Sequence, residues 1–168
     1  HLRPRRQRQM CIRDRSSTGT LAPAASGSGT SFTFSPTTAP VSGTITATHA
    51  TAGGDATGTI TVGVGAAQNV KILSDAAGNT TEVVAAGLTT GQTLTVHASS
   101  FDADGNYVND VSVAWTLTGG IGALFPSSGI STVLTATTAG TGQISADHAS
   151  LLDDATGTIT VNTGSLSF

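Results

Sequence analysis

The segment GTITATHATAGGDATGTITV, Gly43–Val62, returns 99 residues later as GQISADHASLLDDATGTITV, Gly142–Val161, without a gap. Its last eight residues, DATGTITV, are identical in the two places. Upstream, GTLAP at Gly19–Pro23 answers GALFP at Gly122–Pro126, and Thr37–Ala39 answers Thr137–Ala139. A period near 100 is domain-sized, well beyond the roughly 20–50 residues of solenoid repeats. The 168 residues therefore divide into a partial copy over 16–62, a linker at 63–66, a complete copy over 67–162, and the start of a further linker or copy at 163–168. The chain is expected to be a fragment, open at both ends.

Within the repeat the apolar period is two. Gln92–Ser99 puts Leu94, Val96 and Ala98 on one face and Thr93, Thr95 and His97 on the other. Val111, Val113, Trp115 and Leu117 alternate with Ser112, Ala114 and Thr116. Leu134 with Ala136, Ile144 with Ala146, and Ile159 with Val161 repeat the pattern, and Asn69–Leu73 supplies an entry strand. Short alternating runs bounded by Gly, Asn, Asp and Ser are strand signals. About seven such runs in one repeat predict an all-β fold, a two-sheet sandwich with one face of each sheet buried.

The first fifteen residues differ from everything after them. Arg3, Arg5, Arg6, Arg8, Arg13 and Arg15 are six of the seven basic residues, and Cys11 and Met10 are the only residues of their kinds. The run Arg5–Asp14, RRQRQMCIRD, resembles one translated reading frame of an adapter used in transposon-based DNA libraries. Residues 1–15 are accordingly expected to be a non-native, disordered head. Beyond it stand one lysine, Lys71, and nine acids, a net charge of −8. Such a body repels phosphate backbones, so no nucleic-acid partner is expected. Without cysteine it has neither a disulfide framework nor thiol chemistry. No window approaches the 18 or so apolar residues of a membrane helix, so no direct membrane insertion is expected.

FDADGNYVNDVSVAWTLTGG, Phe101–Gly120, and the following GALFPSSGISTVLTATTAGTGQISAD carry a resemblance. The first is similar to a D-x-x-G-N-x-V turn leading into a V-x-V-x-W/F strand. The second is similar to a Gly-x-hydrophobic-x-Pro turn followed by T-x-hydrophobic-T-A. Together they resemble the bacterial Ig-like domains found in tandem in invasin- and intimin-type surface proteins. The resemblance covers 67–162 fully and 16–62 in part. It implies tandem Ig-like sandwiches, one complete and one truncated, in an extracellular, cell-surface or secreted, usually non-enzymatic protein.

Each candidate site has a structural reading beside the chemical one. Asp102, Asp104, Asn106 and Asp110 space oxygen ligands like a calcium loop. Position 6 of that loop is Tyr107 and not Gly, however, and position 12 is Val113 and not Glu. The stretch is therefore read as a turn whose Asp-Gly-Asn supplies unusual dihedrals. Weak calcium, aided by Asp153 and Asp154 in a second turn, is the alternative, and no other cofactor is expected. His49 and His148 occupy equivalent repeat positions and, with His97, lack partners at metal-ligand spacing, so strand-end packing is expected. Trp115 is read as a core residue and Tyr107 as the exposed aromatic at a loop tip. Lys71 and Asn162 are the kind of pair that forms isopeptide crosslinks in some surface Ig-like domains, yet Lys71 is out of phase with Val70 and Ile72 and should face solvent. Asn79–Thr81 fits a glycosylation acceptor weakly.

No G-x-S-x-G, P-loop or H-E-x-x-H occurs, so no catalytic or cofactor-binding residue is expected, and the chain is not read as an enzyme. The expected role is a stalk or spacer whose partners are neighbouring modules of its own chain, with short Gly/Ala linkers between them. A module binding a glycan or a host or environmental protein, and an accessory domain of a secreted hydrolase, are the alternatives.

Overall fold

The computed structural model of the chain describes residues 12–19, 26–29, 31, 33–76 and 81–164. Among them there are strands and no helix. The β-branched Thr, Val and Ile that dominate the runs suit a pleated, half-buried surface. Two units divide at Val64/Gly65, and each is described by itself.

The first unit is one sheet. Its strands are β1 (Ile12–Gly19), β2 (Ser26–Gly29), β3 (Val41–His49), β4 (Gly53–Ala56) and β5 (Ile60–Val62). The order is β2-β1-β3-β4, with β5 also on β3, and every pairing is antiparallel.

The second unit holds β6 (Asn69–Leu73), β7 (Ala86–Thr89), β8 (Thr93–Phe101), β9 (Tyr107–Asp110), β10 (Val113–Leu117), β11 (Gly122–Phe125), β12 (Ser128–Gly129), β13 (Ser131–Ala136), β14 (Gly140–Gly142), β15 (Ile144–Asp147), β16 (Asp154–Ala155) and β17 (Ile159–Asn162). One sheet runs β11-β13-β8-β6, with β9 also on β8. Facing it are β12-β10-β15-β16 and β14-β17-β7. The β17–β7 pairing is parallel.

Between these layers lies a single core. Val70, Ile72, Val96, Ala98, Leu134 and Ala136 come from the first sheet. Val113, Trp115, Ile144, Ala146, Ile159 and Val161 come from the other strands. The inward sets are those that the alternation predicts, because a one-residue slip would turn every apolar side chain outward. Trp115 is 4% exposed and its Nε1 donates to the Gly129 carbonyl at 3.0 Å. β6 is held on both flanks. It pairs with β8, and on the other side the Val70 N–H donates to Leu152 O, Leu152 N–H donates to Gln68 O, and Ile72 N–H donates to the Asp154 carboxylate at 2.7 Å. That carboxylate extends the backbone ladder beyond Leu152.

The repeated segments share their register as well as their letters. Gly43↔Ile60, Ser42↔Thr61 and Val41↔Val62 in the first unit match Gly142↔Ile159, Thr141↔Thr160 and Gly140↔Val161 in the second. Thr46↔Ala56 and Ala47↔Asp55 match Ser145↔Ala155 and Ala146↔Asp154.

The head departs from expectation. Residues 1–11, Cys11 included, lie outside the described residues, but Ile12–Arg15 open strand β1 instead of lacking structure. Arg13, Asp14 and Arg15 pair with Thr48, Ala47 and Thr46 of β3. In the second unit the corresponding positions Asp147, Ala146 and Ser145 pair with Ala114, Trp115 and Thr116 of β10. Asp14 thus takes the register position that Trp115 holds in the complete copy. The physical reason is that an open strand edge recruits backbone, and ladder bonds do not read side chains.

Candidate functional site

The residues with the most chemistry gather where β8 turns into β9. Phe101 ends β8, and the chain must reverse within a few residues to start β9 at Tyr107. Gly105, at φ 83°, takes the left-handed position of that reversal. Asp102 organises it. One oxygen, Oδ1, accepts the N–H groups of Asp104 at 3.0 Å and Asn106 at 2.8 Å, while Asn106 Nδ2 donates to both oxygens at 3.2 and 3.0 Å. Oδ2 also accepts the backbone N–H of Gly65 at 2.9 Å, across 37 residues of sequence. Asp102 is only 5% exposed. The Asn106 side chain first, then the Gly65 amide, hold its carboxyl down at about 2. A carboxylate with this many donors stays charged and is an acceptor only.

The four candidate calcium ligands do not converge. Asp104 is exposed. Asp110 turns to β8, where its Oδ1 accepts Ser99 Oγ at 2.7 Å and Tyr107 OH at 3.2 Å. Asp153 and Asp154 are also engaged by backbone, through His148 N–H at 2.6 Å and Ile72 N–H at 2.7 Å. Burial raises the Asp154 carboxyl above its ordinary value, against the opposing Ile72 hydrogen bond. Among the described residues no group of three or more His, Cys, Asp or Glu side chains is placed to hold a metal ion.

Other candidates take different places from those expected. Tyr107 lies half-buried, its ring edge-on to Phe101 at 6.0 Å, and is not a free aromatic at a loop tip. Lys71 does not simply face solvent: Nζ lies 3.3 Å from Glu82 Oε2 and 5.4 Å from the centre of the Phe101 ring. Asn162 is on β17, in a different sheet from Lys71 on β6. His148 caps a turn: its Nδ1 accepts the N–H groups of Ser150 and Leu151, each at 3.2 Å. His49 does the same for Thr51 at 3.2 Å and Ala52 at 2.9 Å. Turn capping, and not packing, accounts for their repetition. His97 lies on β8, half-buried, opposite Ser131 and Leu73. Of the glycosylation pattern, Asn79 and Thr80 lie outside the described residues.

The sequence reading missed Gly65. Its only local signal is a lack of side chain: a Cβ there would sit 3.3 Å from Asp102 Oδ2. It also missed Phe125, an aromatic that ends edge strand β11 and is 81% exposed. No protein-family model matches the chain, and no curated protein matches it.

Proposed function

We propose that this chain is a run of Ig-like modules serving as a non-catalytic spacer in an extracellular adhesin-like protein. The observation that carries the reading is the shared register of the two repeated segments, ladder for ladder, at the 99-residue offset. A repeat conserved in its hydrogen bonds is what a serial structural element needs. The strand order supports the Ig-like type. β8 pairs with β13 and β13 with β11 in one sheet, β10 pairs with β15 in the other, and β7 adds to β17 in parallel.

A spacer also has to resist being pulled. Ala86–Thr89 and Ile159–Asn162 pair in parallel, so tension along these two strands shears four residue pairs together. Asp102, Asn106, Tyr107, Asn109 and Asp110 of the turn engage backbone, β8 hydroxyls and one another, which supports a structural use. The test is to stretch the full chain by its ends. A spacer yields a distinct force peak that releases the length of Gly65–Phe168; a unit that gives way without a peak overturns the reading.

Phe125 favours a second reading, a binding module for a neutral glycan. It shares an outer face with Val133 and Thr95, its neighbours across the sheet. Retention on neutral polysaccharide that disappears in Phe125→Ala would select that reading.

A further inference from the structure

The expected linker 63–66 is flexible by composition, yet its second half is stitched to the unit that follows. Gly65 N–H donates to Asp102 Oδ2 at 2.9 Å, and Gln68 N–H donates to Phe101 O at 2.8 Å. Gln68 O accepts Leu152 N–H at 2.9 Å. Asp102, Phe101 and Leu152 thus hold both ends of the stretch Gly65–Gln68 before β6 begins. We infer that Asp102 is a linker clamp: it makes Gly65–Gln68 a rigid extension of the second unit and leaves Gly63–Val64 as the hinge.

Two further observations support the clamp. Gly65 has no left-handed φ to explain it, but a side chain there would crowd Asp102, with Cβ 3.3 Å from both Cβ and Oδ2 of the aspartate. The glycine is therefore suited to closing on a carboxylate. The same repeat position is also anchored at the other end of the unit: Gly164, 99 residues on, donates its N–H to Thr90 Oγ1 at 3.2 Å. Both copies of this glycine spend their amide on a side chain of the second unit, Gly65 where the chain enters and Gly164 where it leaves. A buried, charged acceptor gives the stronger bond of the two, so the entry side is held more firmly. Flexible Gly-rich linkers behave as coils whose reach grows with the number of free residues. Shortening the free segment stiffens a spacer without changing its length.

As a statement about stalk stiffness this inference rests on the spacer reading, but the clamp itself is tested without it. Amide hydrogen exchange and heteronuclear NOE are measured by NMR on the full chain. In the parent, the Gly65 amide should be protected and residues 65–68 should be as rigid as β6, while Gly63 exchanges freely. Asp102→Ala should speed Gly65 exchange about ten- to hundredfold, the loss expected for a bond to a charged group, and leave Gln68 protected through Phe101. Gly65→Ala should do the same while the Asp104 and Asn106 bonds persist, which keeps the test alive if Asp102→Ala does not fold. Both substitutions remove the same hydrogen bond, so in the doubly substituted chain the two effects should not add. A parent Gly65 amide that exchanges as fast as that of Gly63, or one unaffected by Gly65→Ala, overturns the clamp. A clamp that holds in a chain showing no force peak would retire the spacer reading alone.

Discussion

Ile144 and Thr156 exchange hydrogen bonds: the Ile144 N–H donates to Thr156 Oγ1 at 3.0 Å, and the Thr156 N–H donates to Ile144 O at 2.9 Å. Ile45 and Thr57 repeat both bonds, at 3.0 and 2.8 Å. The threonine of DATGT thus stands in for a ladder partner where β15 and its neighbour part. Thr156 is 2% exposed. Thr156→Val keeps its shape and strands a buried N–H, at a cost of about 1–3 kcal/mol. Thr156→Ser should retain most of the stability. Urea midpoints followed by Trp115 fluorescence, the only tryptophan signal in the chain, check the order.

Trp115 is the largest side chain of the core, and its cross-strand partner Ala146 and the other core alanines, Ala98 and Ala136, are too small to fill the space it leaves. Trp115→Ala should cost about 3–5 kcal/mol, against the roughly 5–15 kcal/mol of a typical domain. Phe125→Ala, at a position 81% exposed, should stay within about 0.5 kcal/mol of the parent. Circular dichroism during urea unfolding separates the two. Equal midpoints would place Trp115 outside the core.

The glycine of the same DATGT motif differs between the copies. A Cβ on Gly157 would collide with the Val84 carbonyl, whereas nothing lies within 4 Å of one on Gly58. Gly157→Ala should therefore cost about 1–3 kcal/mol or more, as overpacking does. Gly58→Ala should leave the Trp115 fluorescence transition where it is. If both substitutions shift that transition equally, the close approach of Val84 is not what requires the glycine.

Two aspartates tilt acid stability in opposite directions. Asp102 has a folded pKa of about 2 against an ordinary 3.8, so its contribution is present above about pH 4 and is lost as pH falls through 2. Asp154 is raised above 3.8 by burial, so its protonation favours the fold, and that contribution is lost as pH rises through its folded value. Asp102→Asn should flatten the acid limb of a stability–pH profile, and Asp154→Asn should steepen it. Denaturant midpoints measured between pH 2 and 6 give both slopes. Unchanged limbs would mean that the Asn106 and Gly65 bonds do not favour the charged Asp102.

The all-β class, the sandwich core and its inward residues were legible in the sequence, because period-two alternation is a local property that a buried face enforces. Val96, Ala98, Trp115, Ile144 and Ile159 lie inward for that reason. The repeat was legible too, since DATGTITV meets the strand segments before it in the same register in both places. Long-range partners were not. Nothing near Asp102 in sequence says that it holds Gly65, nothing near Asp154 names Ile72, and nothing in Ile12–Arg15 says that it fills the edge of β3. Those choices belong to tertiary structure, where backbone donors are satisfied by whichever acceptor the folded layers bring within reach.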